Sequence, residues 1–117
     1  MEKFILAIEQ NTNESKATIL NNSGSMVSSA SKKVEVINPK PGWIEADPNQ
    51  LWGNIIGVTA DALAKANINP EQIAGIGIAN QRETTIVWDI ETGQAIYNAI
   101  SWQDKRTINI CKELKEK

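Results

Sequence analysis

A polar hexapeptide, Asn80 to Thr85, separates two apolar segments that are predicted to be buried strands, residues 73–79 and 86–88. A core strand that ends in polar residues places them at the rim of a sheet, where ligands of α/β proteins usually bind. Arg82 offers a rigid fork of donors and Glu83 offers two acceptor oxygens, a combination suited to a small polyol. An exposed ion pair in a turn, which stabilises a fold by about 0–1 kcal/mol, explains the same two residues equally well.

The first part of the chain predicts an antiparallel meander of three strands, because three segments of strand-like pattern are joined by short turns. These segments are residues 4–8, 16–20 and 26–37. Asp47 and Pro48 then mark the start of a helix, as an N-cap and a first helical residue. Its apolar residues recur at helical spacing and predict a single stripe that faces the core: Leu51, Ile55, Thr59, Ala62, Leu63 and Ala66.

The second part predicts strands at residues 73–79, 86–88 and 97–102, followed by a helix that Asp104 caps. The complete order is therefore β-β-β-α-β-β-β-α, an α/β or α+β arrangement. The last helical pattern has barely begun to repeat at Lys117, so we expect residues 1–117 to be one incomplete domain.

The composition excludes several kinds of site. A net charge of −2 gives no electrostatic reason to expect nucleic acid or an anionic membrane as a partner. No basic and apolar leader or long apolar run is present, so we expect a cytoplasmic location. The chain has no His, which excludes imidazole catalysis and imidazole metal ligation, and its single cysteine, Cys111, cannot form an internal disulfide.

Other conspicuous side chains are expected to serve packing. Trp43 and Trp52 flank the Pro-Gly loop at 39–42 and are interpreted as packing residues, and Trp88 is placed in the core of a strand. Cys111 is interpreted as a small buried apolar residue.

The segment from Glu9 to Lys16 lies between the first two predicted strands, where several ATP-binding folds carry a phosphate-binding hairpin. Such hairpins aim backbone N–H groups at phosphate oxygens and favour glycine, which lets the backbone approach closely. This segment contains no glycine. Taken alone, it is better explained as an ordinary polar hairpin.

Taken together, the motifs resemble the N-terminal part of the glycerol kinases, within the family of carbohydrate kinases that have the actin-like, ribonuclease-H-like ATPase fold. The resemblance extends in order along nearly the whole chain and covers the opening quarter or so of such an enzyme. The segments that carry it are Phe4-Ile-Leu-Ala-Ile-Glu-Gln10, Pro39-Lys-Pro-Gly-Trp-Ile-Glu45, Asp47-Pro48, Ile76-Gly-Ile-Ala-Asn-Gln-Arg-Glu-Thr-Thr-Ile-Val-Trp88, Glu91-Thr-Gly93, Ile96-Tyr-Asn-Ala-Ile100 and Trp102-Gln103.

The resemblance implies transfer of the γ-phosphate of ATP to glycerol, with Mg²⁺, giving glycerol 3-phosphate. It implies that Arg82 and Glu83 hydrogen-bond the glycerol hydroxyls and that Trp102 packs against the carbon backbone. On the nucleotide side it implies roles for Thr12, Asn13, Glu14 and Lys16. Thr12 is the family's own residue and would stand near the transferred phosphate, whereas Asn13, Glu14 and Lys16 replace the family's residues. Glu9 stands where the family has an aspartate that helps to organise Mg²⁺.

The departures from the family lie in the phosphate-binding hairpin, where the family has Asp-Gln-Gly-Thr-Thr-Ser-Ser-Arg. Its glycine is Asn11 here, a serine is Glu14, and the arginine is Lys16, which lacks the bidentate fork. Each of these changes is predicted to weaken nucleotide binding, whereas the residues of the polyol side match the family.

No catalytic residue is predicted within the chain, because the family's general base lies beyond the position of Lys117. The isolated chain is therefore expected to be inactive and to need the remainder of a kinase. The alternatives are a non-catalytic remnant with at most weak polyol or protein binding, and a segment of a related sugar kinase.

Overall fold

The computed structural model describes all 117 residues and contains six strands, two α-helices and a short 3₁₀ helix at Pro70–Gln72. No helix combines the length and the apolar character that crossing a membrane requires. In chain order the elements are β1 (Phe4–Gln10), β2 (Glu14–Leu20), β3 (Met26–Lys33), β4 (Glu45–Ala46), α1 (Pro48–Ala66), β5 (Ile73–Asn80), β6 (Ala99–Ile100) and α2 (Ile108–Glu116).

The chain divides into two compact units, and the first comprises residues 1–34 and 49–81. Its four-stranded sheet has the order β3-β2-β1-β5. The pairs β1–β2 and β2–β3 are antiparallel, which confirms the predicted meander. β5 pairs in parallel with β1, and the crossover that a parallel pair needs contains α1.

The core of this unit lies between one face of the sheet and α1. Alternate residues of β1 and β2 point to this face, as the pleat of a strand requires. The core residues are Phe4, Leu6, Ala17, Ile19, Ala30, Val58, Ala62 and Ile68.

Helix α1 begins at Pro48, directly after Asp47, as predicted. Its buried residues are Leu51, Asn54, Val58 and Ala62. The predicted stripe through Ile55 and Thr59 was therefore wrong by one position in the middle of the helix. The reason is Asn54, a polar residue on the buried face, whose side-chain amide donates to the carbonyl of Lys33 at 3.3 Å.

The second unit comprises residues 35–48 and 82–117 and has little regular structure. Strands β4 and β6 pair in an antiparallel manner. Single bridges extend this ladder, joining Ile37 to Glu45 and Thr85 to Ile100.

Several predictions for the second half were wrong. Residues 86–88 do not form a strand; they begin a hairpin with one bridge, Trp88 to Ala95. The predicted strand at 97–102 is reduced to the two residues of β6, and the unpredicted β4 is its partner. The predicted third strand also ends early, at Lys33.

Predicted burial was also wrong at several apolar residues, because apolar character alone did not show which faces are covered. β5 lies at the edge of its sheet, so Ile76 and Ile78 are exposed. Trp52 and Trp88 expose 66% and 61% of their surface, which excludes a core role within this chain. Cys111 is exposed too.

Candidate functional site

The corner that follows β5 carries Arg82 and Glu83, and both side chains are exposed. Glu83 has a backbone φ of 65°, in the left-handed region that residues with a side chain rarely adopt. Such a conformation costs about 1–3 kcal/mol and is found preferentially at functional sites. No ion pair joins Arg82 to Glu83 in the structure, whereas Arg106 pairs with both Glu45 and Asp104, so an ion pair does not explain this corner.

A short antiparallel ladder connects the segment that contains Trp102 to the corner that carries Arg82 and Glu83. Thr85 and Ile100 exchange two backbone hydrogen bonds, at 3.0 and 2.9 Å. Beside them, the backbone N–H of Trp102 donates to the hydroxyl oxygen of Thr84 at 3.3 Å. The Trp102 side chain is 52% exposed. The structure therefore places the three predicted polyol-binding residues at the two sides of one ladder, and Thr84 is a connection that the sequence did not reveal.

Trp102 lies in a tight turn formed by residues 101–104, which we call the Trp102 turn. The N–H of Asp104 donates to the carbonyl of Ser101 at 3.0 Å, and this bond closes the turn. Ile44 holds both of its ends. The carbonyl of Ile44 accepts from the N–H of Ser101 at 3.0 Å, and its N–H donates to Oδ2 of Asp104 at 2.7 Å.

A cluster of polar and charged side chains supports this turn. We call it the Glu45 cluster; its members are Glu45, Tyr97, Asn98, Asp104 and Arg106. Glu45 is only 1% exposed, and its carboxylate accepts from Tyr97 at 2.8 Å, from Asn98 at 3.0 Å and from Arg106 at 2.7 Å. Arg106 also donates to Asp104 at 2.7 Å. The guanidinium of Arg106 stacks on Trp43 at 3.8 Å from the ring centre.

These contacts keep Glu45, Asp104 and Arg106 in their charged forms. Burial acts to raise the pKa of Glu45, but the hydrogen bonds from Arg106, Asn98 and Tyr97 outweigh it and hold the pKa below its ordinary value. The hydrogen bond from Arg106 holds the pKa of Asp104 well below its ordinary range. The hydrogen bond to Asp104, in turn, raises the pKa of Arg106.

Sequence reasoning missed this cluster and misassigned Asp104. The residue does not cap the last helix, since α2 begins at Ile108 with Thr107 at the N-cap position. Glu45 and Arg106 are 61 residues apart in sequence, so no local pattern could indicate their contact.

The predicted nucleotide-binding segment forms a tighter hairpin than expected. Glu9 lies in β1, while Glu14 and Lys16 lie in β2, so the turn is limited to residues 11–13. The N–H of Asn11 donates to the carbonyl of Glu14 at 2.8 Å and closes the turn. Asn11 is not among the residues with positive φ, so the asparagine introduces no left-handed strain in place of a glycine.

The charged residues of this hairpin lie on the face of the sheet opposite the core. Glu9 is paired with Lys16 across β1 and β2, and Glu14 is paired with Lys33 across β2 and β3. The turn residue Asn13 accepts a hydrogen bond from the N–H of Val34 at 2.9 Å. The structure therefore brings the predicted nucleotide-side residues together on one hairpin. It contains no group of three or more acidic or cysteine side chains that could hold a metal ion.

Comparisons with known proteins identify the family to which the sequence is similar. Residues 4–117 match the model of the FGGY family of carbohydrate kinases, N-terminal domain. The curated glycerol kinase of Petrotoga mobilis is 54% identical over 117 residues, which are 100% of this chain and 24% of that protein. The curated glycerol kinase of Chromobacterium violaceum is 55% identical over 114 residues, which are 97% of this chain and 23% of that protein.

Solved structures show the same fold. The Plasmodium falciparum glycerol kinase with ADP superposes with a TM-score of 0.89 at 32% identity, covering 99% of this chain and 23% of the other. A gluconate kinase from Lactobacillus acidophilus superposes with a TM-score of 0.90 at 25% identity, covering 99% and 23%. The chain thus spans about a quarter of the length of the curated relatives that it matches.

Proposed function

We propose that the chain, which belongs to the FGGY family of carbohydrate kinases, is the N-terminal segment of a glycerol kinase. In the proposed reaction the γ-phosphate of ATP passes to glycerol and gives glycerol 3-phosphate. The observation that carries this proposal is an identity of 54–55% to curated glycerol kinases along essentially the whole chain. Identity to the solved gluconate and xylulose kinases of Lactobacillus acidophilus is 25% in each case. Because the reaction consumes ATP, we propose the cytoplasm as its compartment.

In this proposal the corner after β5 and the Trp102 turn form the polyol side. Arg82 donates hydrogen bonds to glycerol hydroxyls, Glu83 accepts them, and the ring of Trp102 packs against the carbon chain. Three features support these roles. All three side chains are exposed, one ladder connects their segments, and Glu83 holds a strained backbone conformation.

The hairpin between β1 and β2 is proposed as the nucleotide side, with Thr12, Asn13 and Lys16 facing the phosphates. Mg²⁺ would neutralise charge on the phosphates, and it is usually bound through one or two carboxylates together with those phosphates. The single carboxylate of Glu9 fits that mode of binding but could not form a metal site alone. Glu14 opposes the proposed role, because its carboxylate would repel phosphate.

The general base of phosphoryl transfer is not assigned to this chain. Transfer needs a carboxylate that takes the proton of the attacking hydroxyl, together with an in-line arrangement of the two substrates. We propose that the remainder of the kinase supplies this base and most of the adenine pocket.

A chimera tests the proposal directly. The segment replaces the matching residues of the Petrotoga mobilis glycerol kinase, and ATP-dependent phosphorylation of glycerol is measured. Arg82→Ala is expected to lower kcat/KM for glycerol at least a hundredfold, because it removes charge-assisted hydrogen bonds of about 1.5–3 kcal/mol each. Lys105→Ala removes an exposed cation from the same unit and is the control, with an expected change below twofold.

Two outcomes would contradict the proposal. A chimera that phosphorylates xylulose or gluconate in preference to glycerol would indicate a related sugar kinase. A folded chimera that binds glycerol but has no activity, even after Asn11→Gly and Glu14→Ser, would indicate a non-catalytic remnant. The altered hairpin is the observation that favours this second candidate.

A further inference from the structure

The Trp102 turn is held in place by hydrogen bonds from residues that have no proposed role in binding glycerol. Ile44 bonds to the first residue of the turn through its carbonyl and to the last through its N–H. Of these two contacts, the shorter is to a side chain, Oδ2 of Asp104 at 2.7 Å. The Asp104 side chain is 3% exposed, so water does not replace this bond readily.

Asp104 is itself fixed from a second direction. Its Oδ1 accepts from the backbone N–H and from Nε of Arg106, both at 2.8 Å, and its Oδ2 accepts from Nη2 of Arg106 at 2.7 Å. The two side chains thus form a bidentate pair, which fixes direction as well as distance. The same Nη2 of Arg106 also donates to Glu45, the most deeply buried carboxylate of the unit, at 2.7 Å.

We infer that Asp104 is a positioning residue for the polyol substrate, which it does not touch. Its carboxylate joins the Trp102 turn to Ile44 on one side and to Arg106 on the other, and it thereby sets where the Trp102 ring is presented. This inference rests on the proposed function, in which Trp102 packs against glycerol. A ring held in one place loses less conformational freedom when it binds, which strengthens binding.

The test uses the ¹⁵N-labelled 117-residue chain at a concentration low enough to keep it monomeric, where its four tryptophans are expected to give four indole NMR signals. Asp104→Asn keeps the size of the side chain but replaces one acceptor oxygen by a donor. We expect the Trp102 signal to shift and the amide exchange of Ser101 and Trp102 to accelerate at least tenfold. Trp52 and Trp88 should stay unchanged.

Asp89→Asn is the matched control. Asp89 also accepts two backbone N–H bonds in a turn of the same unit, and its pKa is also lowered, first by the hydrogen bond from Thr92. This variant should shift the signal of Trp88, which precedes Asp89 in the chain, and leave Trp102 unchanged. Unchanged exchange at Trp102 in Asp104→Asn would overturn the inference. If all four indole signals of Asp104→Asn lose their native positions, the variant Asp104→Glu, which keeps the charge, is measured instead. The same loss in Asp104→Glu would make Asp104 a residue needed for the stability of the whole fold and would also overturn the inference.

A glycerol titration of the same chains separates this inference from the proposed function. We expect Asp104→Asn to weaken glycerol binding at least threefold, and Asp89→Asn to change it less than twofold. If glycerol does not perturb Trp102 in the unmutated chain, the proposed role of Trp102 within this chain fails, while the exchange rates still decide whether Asp104 positions the turn. If Trp102→Ala weakens binding and Asp104→Asn does not, the role of Trp102 stands and the inference is wrong.

Discussion

Replacing Glu45 by alanine should destabilise the second unit more than any substitution of an exposed carboxylate. The side chain is 1% exposed, and its carboxylate accepts three side-chain hydrogen bonds. Breaking a buried ion pair from one side costs about 3–5 kcal/mol, because the other charge stays buried. Tyr97 is 50% exposed and can donate to water instead, and the charge of Arg106 keeps Asp104 as a partner. We therefore expect the lower end of the range, about 3 kcal/mol.

The measurement is urea unfolding of the 117-residue chain, followed through the indole NMR signal of Trp43. Trp43 reports on the correct region because the guanidinium of Arg106 stacks on its ring. Glu91→Ala is the control: Glu91 is an exposed carboxylate of the same unit, and substitutions of this kind usually change stability by less than about 0.5 kcal/mol. A loss below about 1 kcal/mol for Glu45→Ala, or an equal loss for both variants, would refute the reasoning.

The Glu45→Ala variant also tests a predicted pH dependence of stability. The ordinary pKa values of Glu45 and Asp104 are 4.5 and 3.8, and both are lowered in the folded chain. Between its folded and ordinary pKa values each group binds more protons in the unfolded state, so stability falls as the pH falls. The contribution is complete above about pH 5 and is lost as the pH decreases through the folded values. Glu45→Ala should make the unfolding free energy less dependent on pH between 5 and 3.

Three further predictions concern activity and association. The isolated chain should show no ATP-dependent phosphorylation of glycerol in a coupled assay, and turnover that Arg82→Ala abolishes would contradict this. The isolated chain should self-associate, because exposed apolar residues of β5 and of the hairpin after it promote contact between copies, among them Ile78, Trp88 and Ile90. A sharp monomer peak in size-exclusion chromatography at high concentration would count against this prediction. In the chimera, Asn11→Gly with Glu14→Ser should tighten ATP binding at least fivefold and leave glycerol binding unchanged. The reason is that a like charge about 4 Å from phosphate costs about 1 kcal/mol in water and about 4 kcal/mol at an effective dielectric of 20. Unchanged ATP affinity would mean that the altered hairpin does not weaken ATP binding.

The elements that the sequence predicted correctly are those with strong local signals. β1 is a continuous apolar run, α1 starts at an Asp-Pro pair, and β5 is an apolar run bounded by polar residues. The errors have a common physical cause. Apolar composition indicated burial at Trp88 and Ile78, but burial depends on which other segments cover a face, and that is a property of the tertiary structure.

The same distinction between local and tertiary information applies to the candidate site. Arg82 and Glu83 were proposed from their place at the end of a predicted strand, and Trp102 was proposed from the resemblance to the family. The residues that hold them were not found, since Thr84 and Trp102 meet across 18 positions and Ile44 and Asp104 across 60. Asp104 was taken for a helix cap on local grounds, because an aspartate before a helical pattern usually is one. Its actual partners are a backbone N–H of a distant loop and an arginine whose hydrogen bond holds the pKa of Asp104 below its ordinary range. For a candidate site built on loops, sequence motifs can therefore suggest which groups would touch a substrate, whereas the groups that fix their positions become visible only from long-range hydrogen bonds.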